Sequence, residues 1–439
     1  MKKKILATLL AATMVLGLCA CGNKEVAEDT TATAETTEAT DEAAETTEEA
    51  PAADIDFSQG GNITIWVAEN VVDFTQQQWD AFIAANPDYA AFTATIEPVG
   101  EGDAAGNMIT DVEGGADVFG FAQDQLARLV SAGAVMPVMG DYETFVTSSN
   151  DAGAVAAATV GGTVYAYPIT SDNGYFLYYD KSVVTDPSSV EAIADACDAA
   201  GKNFYVEINS GWYQTAFFFG EGCTLTYDTD DEGNFTACNI DYASDKGVKA
   251  LRNICDLAAH KCFQNGSSMS NATNVAAIVD GTWDATAAKE VFGDNYGCTP
   301  LPSFQGSDGK TYQMSGFSGY KLLGVKPQED KNKLAVCDAL AAYLSSGEVQ
   351  LARYEAIGWG PSNLEAQQSD EVQADEALSA LNEQLLRNKP QGQYPGDYWT
   401  LATGLGDDVI TGTLNEKSSD EDLMAALQTF QDTCISYAK

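Results

Sequence analysis

In Gly61-Asn62-Ile63-Thr64-Ile65-Trp66-Val67, apolar and polar residues alternate and β-branched side chains are frequent, a pattern that predicts a strand. From residue 74 to 85 the apolar spacing changes to about 3.6 residues. Phe74, Trp79, Phe82 and Ile83 then share a face, which predicts a helix closed by Asn86-Pro87. The alternation continues with a strand over 91–98, a helix over 106–114, a strand over 116–121 and a helix over 123–132 stopped by Gly133. Strands alternating with helices predict an open, largely parallel α/β sheet. Such sheets bind ligands at the carboxyl ends of their strands.

Further along, Val164-Tyr165-Ala166-Tyr167-Pro168-Ile169 precedes an aromatic run, Tyr175, Phe176, Tyr178 and Tyr179, that reads as a strand crossing between domains. Helical spacing follows over 189–200, 213–219, 244–259 and 331–345. The C-terminal third is mostly helical, with 371–387 and 420–437 the clearest segments, and no internal repeat is evident. The body begins near residue 60. It is longer than one hydrophobic core usually serves, so two domains are expected.

The N-terminus has a different character. Lys2, Lys3 and Lys4 precede an apolar run from Ile5 to Leu18. That run falls short of the about 20 residues a membrane span needs. Positive, apolar, then small residues is the export-signal pattern. The segment ends in Leu18-Cys19-Ala20-Cys21-Gly22, which resembles the bacterial lipobox. The resemblance implies a signal peptide over 1–21 and a lipidated Cys21, anchoring the protein to the outer face of the cytoplasmic membrane. Residues 22–58 read as a linker: positions 24–54 hold eleven acidic residues, one lysine and no aromatic residue. Such a stretch buries too little apolar surface to offset the entropy of ordering and is expected to be disordered.

Charge narrows the function. With 22 basic and 65 acidic residues the net charge is −43, and no basic stripe breaks it. That argues against nucleic acid and against adsorption to anionic lipid. Eight of the ten cysteines lie in the body, and no CxxC occurs among them, so metal and redox readings are weak. Cys223 and Cys238 flank a Tyr/Asp/Gly-rich hairpin-like stretch and could face each other; free, buried thiols are the equal alternative. His260 is the one histidine, in a helix-like run, and reads as a helix-surface residue. No nucleophile elbow, phosphate loop or HExxH motif is present, and no cofactor or enzyme activity is expected.

Four stretches together resemble the maltose/maltodextrin-binding lipoproteins among the extracellular solute-binding proteins of sugar ABC transporters. They are Ile63-Thr64-Ile65-Trp66, then Gly115-Ala116-Asp117-Val118-Phe119-Gly120-Phe121-Ala122-Gln123-Asp124 with Ala127 and Gly133, then Tyr165-Ala166-Tyr167-Pro168-Ile169, and finally Val279-Asp280-Gly281-Thr282-Trp283. The resemblance implies an α/β periplasmic-binding-protein fold of class II with two lobes, a hinge and a ligand cleft between the lobes. It implies an N-terminal lobe over 59–168, completed by a crossing segment at about 300–350, and a C-terminal lobe over 169–439. It also implies delivery of a captured oligosaccharide, most naturally a maltooligosaccharide, to a permease by a monomeric protein.

A sugar offers C–H faces to flat aromatic rings and a hydroxyl rim to carboxylates and amides. By the family match Trp283 and Trp399 are stacking platforms, Trp212 an aromatic at the cleft, and Phe121 stands where the family has a tryptophan; Tyr398 adjoins Trp399. Asp124 and Asp172 match family carboxylates. Glu69, Asn70 and Asp103 occupy loops near the same site. Trp66 and Trp79 read as core, and Trp359, in Gly358-Trp359-Gly360-Pro361, matches no family role. Three basic residues of the enteric maltodextrin binders are replaced here by Val71, Gln125 and Thr403. The sugar's identity is therefore open, and a different oligosaccharide or a polyamine is the alternative ligand.

Overall fold

The strand Gly61–Val67 runs parallel to both Phe92–Pro98 and Val118–Ala122 in the computed structural model, which describes residues 55–438. The signal peptide, Cys21 and most of the acidic linker lie outside the described residues. The last linker positions are already part of the body: Phe57–Gln59 form a 3-10 turn, and the Phe57 ring packs edge-on against Tyr89 at 4.8 Å.

Local sequence explains the elements. In the helix Val190–Ala200, Val190, Ile193, Ala194 and Cys197 fall at helical spacing and are buried. Ser189 accepts the Ala192 N–H at its start, and Gly201 in the left-handed region ends it. The stretch expected as one helix over 371–387 is two, Asp370–Gln373 and Glu376–Leu385. Asp375 turns its side chain onto the Leu378 N–H and caps the second.

Two sheets result. The first continues beyond Val118–Ala122 with Phe317–Val325, which runs antiparallel to it and also pairs with Tyr167–Asn173 and Lys389–Pro390. The second orders Phe263–Gln264, Asn203–Tyr205, Val275–Asp280, Phe176–Asp180 and Tyr296–Thr299. Its first three strands are parallel and its last two join antiparallel. The sheets are thus mixed rather than largely parallel, because the strands adjoining the crossings between the lobes run against the others. Ile63, Val118, Phe119, Phe121 and Leu322 belong to one core, and Leu177, Phe204, Phe217, Phe317 and Leu427 to another.

The chain passes between these cores three times. It leaves the first after Asn173, re-enters it within Phe317–Val325, and leaves again between Trp359 and Ala377. The first lobe therefore holds its strand through Asn173 and regains the chain from Leu322 to Trp359. The hairpin after Cys223 forms, as Leu225–Thr229 and Phe235–Ile240, but its register sets Cys238 against Tyr227. Cys223 precedes the hairpin, and the eight cysteines among the described residues are free. His260 lies beyond the end of the helix Asp245–Ala258, with Nδ1 3.1 Å from Asp198 Oδ2. Among the described residues no helix is long and apolar enough to cross a membrane.

Candidate ligand-binding cleft

A cleft of about 1100 Å³ opens between the two cores. Its first wall is made by Glu69 and Asn70 after the strand Gly61–Val67, by Glu101 and Asp103 after Phe92–Pro98, and by Asp124 and Arg128 after Val118–Ala122. All three sets follow the carboxyl end of a strand, where backbone groups and loop side chains converge. Gln125 knits this wall: its Nε2 donates to the carbonyls of Glu101 and Gly102, and its Oε1 accepts the Ala105 N–H.

The opposite wall is aromatic. Trp283 sits in the 3-10 turn Thr282–Asp284, straight after the buried strand Val275–Asp280. Its ring lies 5.9 Å from that of Trp212, with 38° between their planes. Trp212 is fixed from behind, where Tyr175 packs edge-on at 4.7 Å and donates its hydroxyl to the Trp212 carbonyl. Its indole N–H donates to Gln391 Oε1, itself on the cleft wall. Trp399 stands in the first turn of the helix Gly396–Ile410 and rests on Tyr394 and Tyr398. Gly281 is required where it is: a Cβ there would lie 2.1 Å from the Trp283 ring. Gly281→Ala is therefore expected to turn Trp283 out of its position and weaken ligand binding at least several-fold, with the thermal midpoint nearly unchanged. Equal affinity of the two proteins by calorimetry would show that the ring's position does not matter.

Seven of the ten candidate residues line this cleft: Trp283, Trp399, Trp212, Asp124, Glu69, Asn70 and Asp103. Phe121, Tyr398 and Asp172 do not. Phe121 is fully buried beside Phe119 in the first core, because the strand Val118–Ala122 is covered on both faces. Tyr398 points into the second core and donates to the Gly211 carbonyl, while its neighbour Trp399 takes the cleft side of the helix. Asp172 is turned inward behind the wall, where Oδ2 accepts the Thr282 hydroxyl and the Gly360 N–H; Asn173 lines the cleft in its place. Trp79 is core as expected, whereas Trp66 is half-buried and donates to Glu97.

Sequence reasoning missed Trp359, Lys321 and Arg128, all of which line the cleft. A single lysine inside the apolar strand Phe317–Val325 is the signal that was available, since charge is rarely placed there without a use. The cleft thus carries five carboxylates (Glu69, Glu101, Asp103, Asp124, Asp284) and two cations. Burial raises the Asp124 carboxyl to about 7, against the opposing pull of Arg128. Burial likewise lowers the Arg128 guanidinium, while Asp124 and Asp397 hold it up.

This gives a pH dependence with a definite sign. The unfolded chain loses the Asp124 proton near 3.8 and the folded chain keeps it to about 7, so its contribution to stability is full below the former and falls as pH rises to the latter. The thermal midpoint of the wild type relative to Asp124→Asn should decline across that window. A constant difference would mean that the carboxyl is not held protonated.

Elsewhere, ligand atoms of Asp198, His260 and Cys262 lie within 4.8 Å of one another. Asp198 is already engaged by the Cys262 N–H and by His260, and burial pushes the Cys262 thiol up to about 12. These contacts tie the end of the helix Val190–Ala200 to the chain at His260 and Cys262.

The family model for bacterial extracellular solute-binding proteins matches residues 77–380. The chain belongs to that family. Similar solved structures include one with acarbose, 28% identical, with a TM-score of 0.74 over 85% of this chain and 98% of the other. The maltodextrin-binding protein of L. casei BL23 is 24% identical, with a TM-score of 0.70 over 85% and 99% of the two chains. The GacH receptor of Streptomyces glaucescens is 22% identical, with a TM-score of 0.70 over 87% and 100%. No curated protein matches. The fold is that of the two-lobe periplasmic binding proteins, and this solute-binding protein keeps its cleft at the junction of the lobes.

Proposed function

We propose that this protein captures an oligosaccharide, of which a maltooligosaccharide is the best fit, and delivers it to an ABC import permease. The observation that carries the reading is the pairing of indole faces, Trp212, Trp283 and Trp399, with a facing wall of carboxylates in one cleft. Rings suit the C–H faces of sugars and carboxylates suit the hydroxyl rim. Similar structures solved with acarbose, and one of a maltodextrin-binding protein, support the same class. In this reading the seven cleft-lining candidates contact the sugar and the protein performs no chemistry. It acts as a monomer, with the acidic linker as a tether from a lipidated Cys21 at the cell surface. Membrane fractionation of cells expressing wild type or Cys21→Ala tests the anchor: release of the variant alone supports it.

Calorimetry of the body with maltotriose, then with other oligosaccharides and spermidine, tests the ligand. Saturable micromolar binding of maltotriose supports the proposal. Binding of another oligosaccharide alone moves the specificity. A response to spermidine alone replaces the sugar with a polyamine, for which the five carboxylates would be the reason.

A further inference from the structure

Lys321 is 6% exposed yet lines the cleft, and among the described residues its ammonium has neither a hydrogen-bond acceptor nor a carboxylate at ion-pairing distance. Two indole faces hold it instead. Nζ lies 3.5 Å from the Trp359 ring centroid and 5.2 Å from that of Trp283. Rings stabilise a cation by their quadrupole but leave its N–H donors unsatisfied. A largely buried ammonium whose donors have no protein partner depends on water or a ligand in the cleft to satisfy them.

The location adds a second argument. Lys321 sits in the strand Phe317–Val325, where the chain re-enters the first lobe; Trp283 follows the second-sheet strand Val275–Asp280 and packs across against the first core, in which Trp359 is buried. Asp172 fixes both tryptophans from behind, its Oδ2 accepting from Thr282 and Gly360, the residues adjoining them. The ammonium is thus held at the hinge by fixed rings and faces the space between the lobes. With five carboxylates and two cations on the walls, an anionic ligand is disfavoured.

We infer that Lys321 is a specificity-determining donor to a hydroxyl of the neutral oligosaccharide, supplying from the hinge strand a basic contact that Val71, Gln125 and Thr403 do not. This rests on the carbohydrate reading above. Lys321→Met keeps the aliphatic stem over the indoles and removes the donor.

The test is calorimetry of wild type, Lys321→Met and Lys321→Arg with maltotriose and a set of its monodeoxy analogues, alongside thermal midpoints. Lys321→Met should bind maltotriose about 10- to 100-fold more weakly, the usual range for a lost charged donor. One deoxy analogue that binds the wild type weakly should bind Lys321→Met as well as maltotriose does, and Lys321→Arg should retain the discrimination. An equal loss for every analogue, or no loss, would overturn the assignment. So would tighter wild-type binding of a carboxylate-bearing, end-oxidised maltotriose, which would make Lys321 an anion site. Failure of the wild type to bind any sugar is a different result and would remove the carbohydrate reading itself.

Discussion

Replacing Trp283 by alanine is expected to weaken oligosaccharide binding by roughly 1–3 kcal/mol, about 5- to 150-fold, since a central aromatic platform is typically where such a site concentrates its energy. Three contacts converge on this indole: the tilted Trp212 ring at 5.9 Å, the Lys321 ammonium at 5.2 Å, and the backbone of Gly281, which leaves room for it. It sits on a turn outside the buried strand, so its loss should leave the fold intact. Titration calorimetry with circular dichroism on the same samples checks this. A variant with native dichroism and undiminished affinity would take Trp283 out of the site.

The second large effect is on stability. Asp172→Ala is expected to cost about 2–6 kcal/mol, since two buried donors lose their acceptor at about 1–3 kcal/mol each. The Arg353 guanidinium is buried near it and, among the described residues, donates to the carbonyls of Ile169 and Leu344. Burial lowers that guanidinium to about 10, against the pull of Asp172 and Glu101. Removing the carboxylate also strands the Gly360 N–H and the Thr282 hydroxyl. Urea denaturation should show a lower midpoint with an unchanged slope. An unshifted midpoint would mean that the cluster contributes nothing. The same residue was expected to touch sugar, so its strong effect on folding would separate a scaffold role from a binding role.

Residue-level differences between expectation and structure have a common cause. Periodicity revealed which segments were strands and helices, as at Gly61–Val67 and Val190–Ala200, because burial on one side leaves a readable alternation. It did not reveal orientation where both sides are buried. Along Val118–Ala122 four consecutive residues are buried, so nothing in the pattern told whether Phe121 faced the cleft or the core. Asp172 and Asn173 are neighbours in one strand and Tyr398 and Trp399 in one helix. In each pair a step of one residue decides which side chain reaches the cleft. Lys321 stood out as a charge in an apolar strand, but its place beside Trp359 and Trp283 did not, because that contact joins distant segments and exists only once the chain has crossed between the lobes.

Those crossings set an order of events during synthesis. The first lobe's sheet needs Phe317–Val325, which lies beyond the whole first run of the second lobe, from residue 175 to 315. Its early strands therefore have no complete sheet to join when they emerge. Contacts this distant in sequence form slowly, since loop closure precedes any reward. The open edge of Val118–Ala122 therefore stays uncovered until the middle of the protein has arrived, so the N-terminal portion is the last lobe to be completed although it is the first to be made.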